Sequence, residues 1–154
     1  MSELNETIPQ PLVVEVKPLP ESLRLKPAAD PLNIREGELA VGPHLRVVQL
    51  ANCLGVGLKN DGLKTAVAAH IGPFGGEKQG SMIQIDMWAM EYVEQLAQFY
   101  SRGQENPPTT VIVRSRQIGS RPLFHGRMIK ALKTRFPGVQ IDMQNGTEFE
   151  IEFQ

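Results

Sequence analysis

The sequence has little cysteine, little histidine and almost no net charge, and each shortage excludes a class of protein. A single cysteine in 154 residues excludes an internal disulfide and favours a reducing, cytoplasmic compartment. Three scattered histidines with that cysteine match no zinc spacing, so we expect neither a metal nor another cofactor. A net charge of −1 gives no general attraction to nucleic acid. No stretch approaches the roughly 18 consecutive apolar residues of a membrane-spanning helix, and we expect no membrane insertion and no secretory signal.

Proline is concentrated at one end of the chain. Residues 1–33 hold six of the twelve prolines, and proline both fixes φ and removes a hydrogen-bond donor. We therefore expect an N-terminal arm over 1–33, in which Leu12–Val16 forms at most a short edge strand. The arm offers few apolar residues, which predicts that it adds little to the core. Residues 34–154 are expected to form one domain.

The patterns in that domain predict an α+β fold, a mixed or antiparallel sheet assembly with two helices packed on it. Apolar residues at helical spacing predict a long helix over 81–101 and a second one from Gly119-Ser120 to Pro137-Gly138. Runs rich in β-branched residues predict strands elsewhere, and two of them around Asn145-Gly146 predict a closing hairpin with a bulged loop. The order of the strands is left open.

The stretch from Leu45 to His70 carries the strongest local signal. Asp61-Gly62 between two apolar runs is typical of a two-residue hairpin turn. With these as the turn residues, Cys53 faces His70 across the strand pair, and residues so placed share a face with Cβ atoms roughly 4.5–5.5 Å apart. A thiol and an imidazole in that arrangement can act as nucleophile and base.

The same register sorts the hairpin into two faces. One face carries large apolar side chains and is predicted to be core. The other carries Gly55, Gly57, Ala66 and Ala68, a floor of small residues that lets another backbone or a substrate approach closely. A lone cysteine in an apolar strand is also commonly a small buried hydrophobe, so a purely structural interpretation of Cys53 stays open.

Several segments resemble the chemoreceptor glutamine deamidase family (CheD), whose core toxin-type glutamine deamidases share. They are IREGELAV from Ile34, VVQLANCLGV from Val47, the strand ending at His70, and QIGSRP from Gln117, which is similar to an Ile-Gly-x-Arg-Asn segment of the family. The likeness runs from about 34 to 153. It departs from the family at Ala51-Asn52, where the family has Gly-Ser, and at Val47, where the family has its catalytic threonine.

The resemblance implies a CheD-like fold and hydrolysis of a glutamine side-chain amide on a signalling protein such as a chemoreceptor, or docking of a chemotaxis regulator. Cys53 would attack the amide carbon and His70 would move the proton. Because Val47 lacks a hydroxyl, the group that orients His70 is expected to be Gln49, a backbone carbonyl or water, and Gln49 has the same parity along the chain as Cys53. An adjacent imidazolium would favour the thiolate, which predicts a lowered pKa for Cys53.

Residues next to Cys53 and residues that follow His70 are expected to bind the substrate. Backbone N–H groups around Asn52 and Leu54 are expected to donate to the oxyanion. Gly72 and Phe74 begin a glycine-rich loop after His70, which we expect to form a wall of the substrate site.

Two alternatives remain beside a protein deamidase: a cysteine hydrolase of small amides, and a binding module that has lost catalysis. Between Asn106 and Ile141 lie seven basic residues and no acidic one, which favours either a landing surface for an acidic partner or a solvated helix face. Trp88 could anchor a partner or fold over a neighbouring loop. The basic segment between Asn106 and Ile141 lacks stacking aromatics that alternate with its basic residues, so nucleic acid is not expected as a partner.

Overall fold

A computed structural model describes residues 16–74, 82–102, 105–118 and 122–153. Five strands, a helix, one strand, a second helix and two further strands follow one another along these residues. The strands are β1 (Lys26–Pro27), β2 (Glu38–Val41), β3 (His44–Val47), β4 (Leu54–Asn60), β5 (Thr65–Ile71), β6 (Thr110–Ser115), β7 (Gln140–Asn145) and β8 (Phe149–Glu152). The helices are α1 (Met82–Tyr100) and α2 (Pro122–Arg135), and a 3-10 turn covers Glu21–Leu23.

A mixed sheet with the order β1-β2-β5-β4-β6-β7 forms the centre of the fold. Strands β3 and β8 pair with each other in a separate antiparallel ribbon. The two helices cover one face of the sheet and the ribbon covers the other, so two apolar cores lie on opposite sides of it. The predicted α+β class, with a mixed sheet and two helices, is confirmed. Neither α1 nor α2 is long and apolar enough to cross a membrane.

The β4–β5 hairpin turns through four residues, so the predicted two-residue turn is wrong. Asn60 pairs with Thr65, and Asp61 to Lys64 form the connection. The Asn60 side chain accepts a bond of 2.9 Å from the Leu63 N–H, and Lys64 takes a left-handed φ of 53°. These local bonds close a wider loop than an Asp-Gly turn alone would.

The wider loop shifts the register by two positions. Gly55, not Cys53, lies opposite His70. Because side chains alternate with a period of two, a shift of two residues keeps every side chain on its predicted face. Cys53 and His70 therefore still share a face, the one that the ribbon covers, while Leu54 and Val56 point into the helix-side core.

The floor of small residues is filled by the ribbon. A Cβ atom on Gly55 would lie 2.6 Å from Cε1 of Phe149, and one on Gly57 would lie 3.0 Å from Cδ1 of Ile151. The first distance is shorter than packed Cβ atoms show and the second is unusually tight, so the absence of side chains lets β8 lie directly on the sheet. This part of the floor serves packing and not substrate entry.

The predicted closing hairpin is wrong, because its two strands join different sheets. Strand β7 pairs in parallel with β6 at the edge of the main sheet, whereas β8 crosses over and pairs with β3. The connection is fixed by backbone bonds of 2.8 Å from Gly146 to Ser115 and from Leu50 to Thr147. In this arrangement Phe149 and Ile151 are buried in the ribbon-side core, whereas every residue of β7 is partly or fully exposed.

The segment before β2 is part of the fold, so the expectation that it adds little to the core is wrong. Leu19 and Leu25 are 4% and 5% exposed and belong to the helix-side core. Strand β1 pairs in parallel with β2. Most of the proposed edge strand at Leu12–Val16 lies outside the described residues.

Polar side chains of α1 hold this segment in place. Proline-rich extended chain leaves its backbone groups unpaired, and these groups need partners. Gln84 bonds both the N–H and the C=O of Lys17 at 2.7 Å, and Gln95 does the same for Leu25 at 3.3 and 2.9 Å. Trp88, 8% exposed, donates to the Lys17 carbonyl at 3.0 Å. Trp88 thus folds over a neighbouring segment and is not a free anchor.

Candidate active site

Cys53 lies in a bend directly before β4 and is 7% exposed. Its thiol donates a hydrogen bond of 2.9 Å to Oε1 of Glu36. Glu36 is an exposed residue, and its carboxylate rests against the sulfur from the solvent side. The partner of the thiol is therefore a carboxylate that the sequence analysis did not select.

A tight turn presents Glu36 to the sulfur. The Glu38 N–H bonds the Arg35 carbonyl at 2.9 Å, and Gly37, with a φ of 83°, occupies the left-handed position that this turn requires. The Gly37 N–H donates to the His70 carbonyl at 2.8 Å, which ties the turn to β5. In the sequence, Glu36 and Gly37 stand out only as part of the IREGELAV segment, because the contact of Glu36 with Cys53 depends on this tie.

His70 is buried, with little hydrogen bonding. It is 2% exposed, and within the described parts of the chain neither of its ring nitrogens forms a hydrogen bond of good geometry, although the backbone of Ile34 and Val48 lies close to the ring. Burial lowers the pKa of His70, and this effect outweighs the nearby backbone of Ile34 and Val48 and the charges of Glu36 and Glu38, which raise it. The ring is consequently a neutral imidazole at pH 7. An unpaired buried polar group costs free energy, so it calls for an explanation.

The thiol is held in its protonated form. Burial, the hydrogen bond to Glu36 and the negative charge of Glu36 together raise the pKa of Cys53 to about 12. The predicted lowering of this pKa is therefore wrong. The thiol bonds Glu36 and not His70, so the free protein has a neutral thiol and a neutral imidazole on one face without a hydrogen bond between them.

Of the residues expected to assist Cys53 and His70, two have exposed side chains and two have buried ones. Gln49 is exposed, with a left-handed φ of 58°, and does not bond the ring nitrogens of His70, so it does not orient that ring. Asn52 is exposed beside Cys53. The Leu54 side chain is fully buried on the opposite face, which leaves only its backbone to the site. Val47 is fully buried in the ribbon-side core.

Gly72 belongs to the site, whereas Phe74 does not reach the sulfur's side of the sheet. A Cβ atom on Gly72 would lie 2.8 Å from Oε1 of Glu36, so only glycine lets the carboxylate lie this close. Phe74 packs on Tyr92, with ring centroids 5.0 Å apart, in the helix-side core. The chain turns towards α1 after β5 ends, so Phe74 does not form the wall of the substrate site that was expected beside the sulfur. Positions 75–80 of the proposed loop lie outside the described residues.

A cavity of about 200 Å³ adjoins the Glu36 carboxylate. Its walls come from the N-terminal segment, the Glu36 turn, the end of β5 and α1. The lining residues are Ser22, Leu23, Leu25, Glu36, Gly37, Gly72, Pro73 and Tyr92. The Tyr92 hydroxyl donates to the Leu23 carbonyl at 2.7 Å and so fixes one wall to another. Glu36 touches both this cavity and the thiol.

The ribbon brings together a set of possible cation ligands that linear spacing does not reveal. His44 pairs with Glu152 across β3 and β8, and Glu150 lies on the same face. One ligand atom from each residue lies within 4.8 Å of the others. His44 already forms an ion pair with Glu150, and all three are partly or fully exposed. The set is separate from the thiol site.

Comparison of the sequence with protein-family models and with curated proteins finds no match.

Proposed function

We propose that the chain is a glutamine deamidase in which Cys53 attacks the side-chain amide of a target protein and His70 moves the proton. The observation that supports this proposal best is the burial of an unpartnered imidazole on the same sheet face as the only cysteine. A fold gains no stability from such a group, whereas a proton-transfer step needs one. The resemblance of the surrounding segments to the CheD family points to the same chemistry.

The proposed reaction uses the two neutral groups directly. As the sulfur attacks the amide carbon, the thiol proton passes to a ring nitrogen of His70 and the carbonyl electrons move to the oxygen. The carbon–nitrogen bond then breaks, and ammonia leaves with the proton from His70. Water adds to the thioester, the carbon–sulfur bond breaks, and glutamate and the free thiol result. Backbone N–H groups beside Asn52 and Leu54 are the proposed oxyanion donors.

On this proposal the free protein is a resting form. The thiol is bonded to Glu36 and is 7% exposed, so a substrate has to break the bond between Cys53 and Glu36 before the sulfur can attack. Glu36 is itself exposed and stands at the tip of a turn, so its carboxylate can move off the thiol and remain beside it without disturbing the sheet. Catalytic hydrogen bonds commonly tighten only in the substrate complex.

The test is release of ammonia from a glutamine-bearing helical fragment of a chemoreceptor. The wild-type protein should release ammonia and leave glutamate in the peptide mass map, and Cys53→Ala should abolish both. His70→Ala should reduce the rate by about 10²-fold or more, the usual contribution of a general base. His44→Ala removes a histidine from the ribbon and should leave the rate unchanged. Equal ammonia release by wild type and Cys53→Ala would refute the proposal.

A second candidate is a binding module, favoured by the raised pKa of the thiol and by the surface between the helices. Met90 on α1, 36% exposed, and Lys130 on α2 line one cavity of about 260 Å³ between the helices. Lys130 and Lys133 also line a cavity of about 390 Å³ on α2, and neither forms an ion pair with any described residue. Exposed apolar surface beside lysines that form no ion pair fits an acidic amphipathic helix.

This candidate has its own measurement. Reversing Lys130 and Lys133 to glutamate should weaken capture of an acidic receptor helix at low salt, because charges at the rim of an interface mainly control association. Lys26→Glu, on β1, is the matched charge reversal away from the helices and should have no effect. Capture that persists in Cys53→Ala without any ammonia release from wild type would favour the binding module over the deamidase.

A further inference from the structure

The carboxylate against the sulfur forms no ion pair with the described residues. Among them no lysine, arginine or histidine lies within ion-pair distance of Glu36. Its Oε1 lies 2.9 Å from Sγ of Cys53 and touches the Cα side of Gly72. A full negative charge thus stands where a reacting group would meet the sulfur.

The position of this charge favours one kind of ligand. In an attack geometry the electrophilic carbon lies about 3–3.5 Å from the nucleophile, and the nitrogen of a carboxamide is one bond further. An oxygen at hydrogen-bond distance from the sulfur is therefore within reach of that nitrogen. A carboxylate accepts an N–H bond from a neutral amide, but it repels another carboxylate at the same place.

We infer that Glu36 determines specificity at the Cys53 site by accepting a hydrogen bond from a primary carboxamide and repelling the corresponding acid. The inference rests on the proposed function, since the amide is then the substrate and the acid is the product. Repulsion of the acid would also speed its release. The isolated, buried His70 on the same face is the independent sign that a polar ligand completes this site.

Alkylation of Cys53 tests the inference without any turnover of a protein substrate. Iodoacetamide and iodoacetate share a leaving group and nearly the same size, but one is a neutral carboxamide and the other an anion. In each case the sulfur attacks the methylene carbon, iodide leaves, and the thiol proton goes to solvent. Since the chain has one cysteine, intact mass reports modification of Cys53 alone.

The measured quantity is the ratio of the two alkylation rates at one pH. The wild-type ratio should exceed that of N-acetylcysteinamide, which carries no carboxylate, and Glu36→Gln should lower it about tenfold, since it removes one charge close to the reacting carbon. Glu36→Gln should also speed both reagents, because the thiol loses a bond and a charge that keep it protonated. Glu38→Gln, which removes a carboxylate two residues away that does not touch the sulfur, should keep the wild-type ratio.

The outcomes separate this inference from the deamidase proposal. A Glu36→Gln ratio equal to that of wild type, or a wild-type ratio equal to that of N-acetylcysteinamide, overturns the inference whether or not ammonia is released. If Glu36→Gln does not fold by circular dichroism, a salt series on wild type decides. High salt should then selectively speed iodoacetate, and a ratio that is insensitive to salt overturns the inference.

Discussion

The two faces of the central sheet are built from different residues and do different work. The helix side of β4 and β5 carries large side chains such as Leu54, Leu58 and Val67, which pack under α1 and α2. The ribbon side carries glycine and alanine, so β8 lies directly on the sheet. Cys53 and His70 both lie on this second face, close to the turn that bears Glu36. The helix-side core of large side chains contributes most of the apolar burial. The ribbon-side core is thinner, and the Cys53 thiol and the Glu36 carboxylate lie at its edge.

The largest loss of stability should come from removing the N-terminal segment that covers the helix-side core. Deletion of residues 1–25 removes buried Leu19 and Leu25 and leaves Gln84 and Gln95 without their backbone partners. Burial of two leucines alone predicts a loss of about 3–6 kcal/mol in the free energy of unfolding. Urea denaturation measures it. Unchanged stability would mean that the helix-side core is complete without this segment.

A smaller loss is expected from thickening the ribbon side. Gly55→Ala places a Cβ atom against Phe149 and Leu50, and overpacking of this kind costs about 1–3 kcal/mol. Gly62→Ala, whose Cβ atom would meet only Oδ1 of Asn60 at 3.4 Å, is the matched control and should change stability little. Equal melting temperatures for the two variants would contradict the close approach of β8.

The raised pKa of Cys53 gives the ribbon side a distinct pH dependence. The unfolded thiol ionises around pH 9, whereas the folded thiol keeps its proton up to about 12. The corresponding stability is therefore complete below pH 9 and is lost as the pH rises towards 12, with a slope of at most about 1.4 kcal/mol for each pH unit. Cys53→Ala should show a flatter stability curve above pH 9 by urea titration. Parallel curves for the two proteins would argue against the raised pKa.

The smallest effect, of opposite sign, concerns the two buried histidines. His70→Leu removes unpaired nitrogens and should stabilise the fold by up to about 1 kcal/mol, while it abolishes ammonia release if His70 is the base. His125, 1% exposed and within 3.5 Å of the Ser115 hydroxyl, has a partner to lose. His125→Leu should therefore destabilise the protein. Thermal melts of the two variants test this difference in stability. A destabilised His70→Leu would mean that the His70 ring forms a hydrogen bond that stabilises the fold.

The sequence predicted which apolar residues of α1 are buried better than it predicted which segment covers the helix. Ile85, Tyr92 and Leu96 follow helical spacing and are buried, but Met82, which has the same spacing, is 39% exposed. Gln84 and Gln95 are polar residues that helical spacing alone would leave to solvent, and their side chains instead bind the backbone of the N-terminal segment. Helical spacing reports which residues share a face, but not which distant chain will cover that face.

By itself the sequence determined that Cys53 and His70 share a face of one hairpin, because the alternation along a strand has a period of two and tolerates a register shift of two. It also determined the α+β class. Tertiary structure decided the contact of the thiol with Glu36, the separation of β7 from β8, and the ribbon that fills the glycine floor. These features join residues distant in the chain, and they form only where backbone groups and apolar side chains from separate elements satisfy one another.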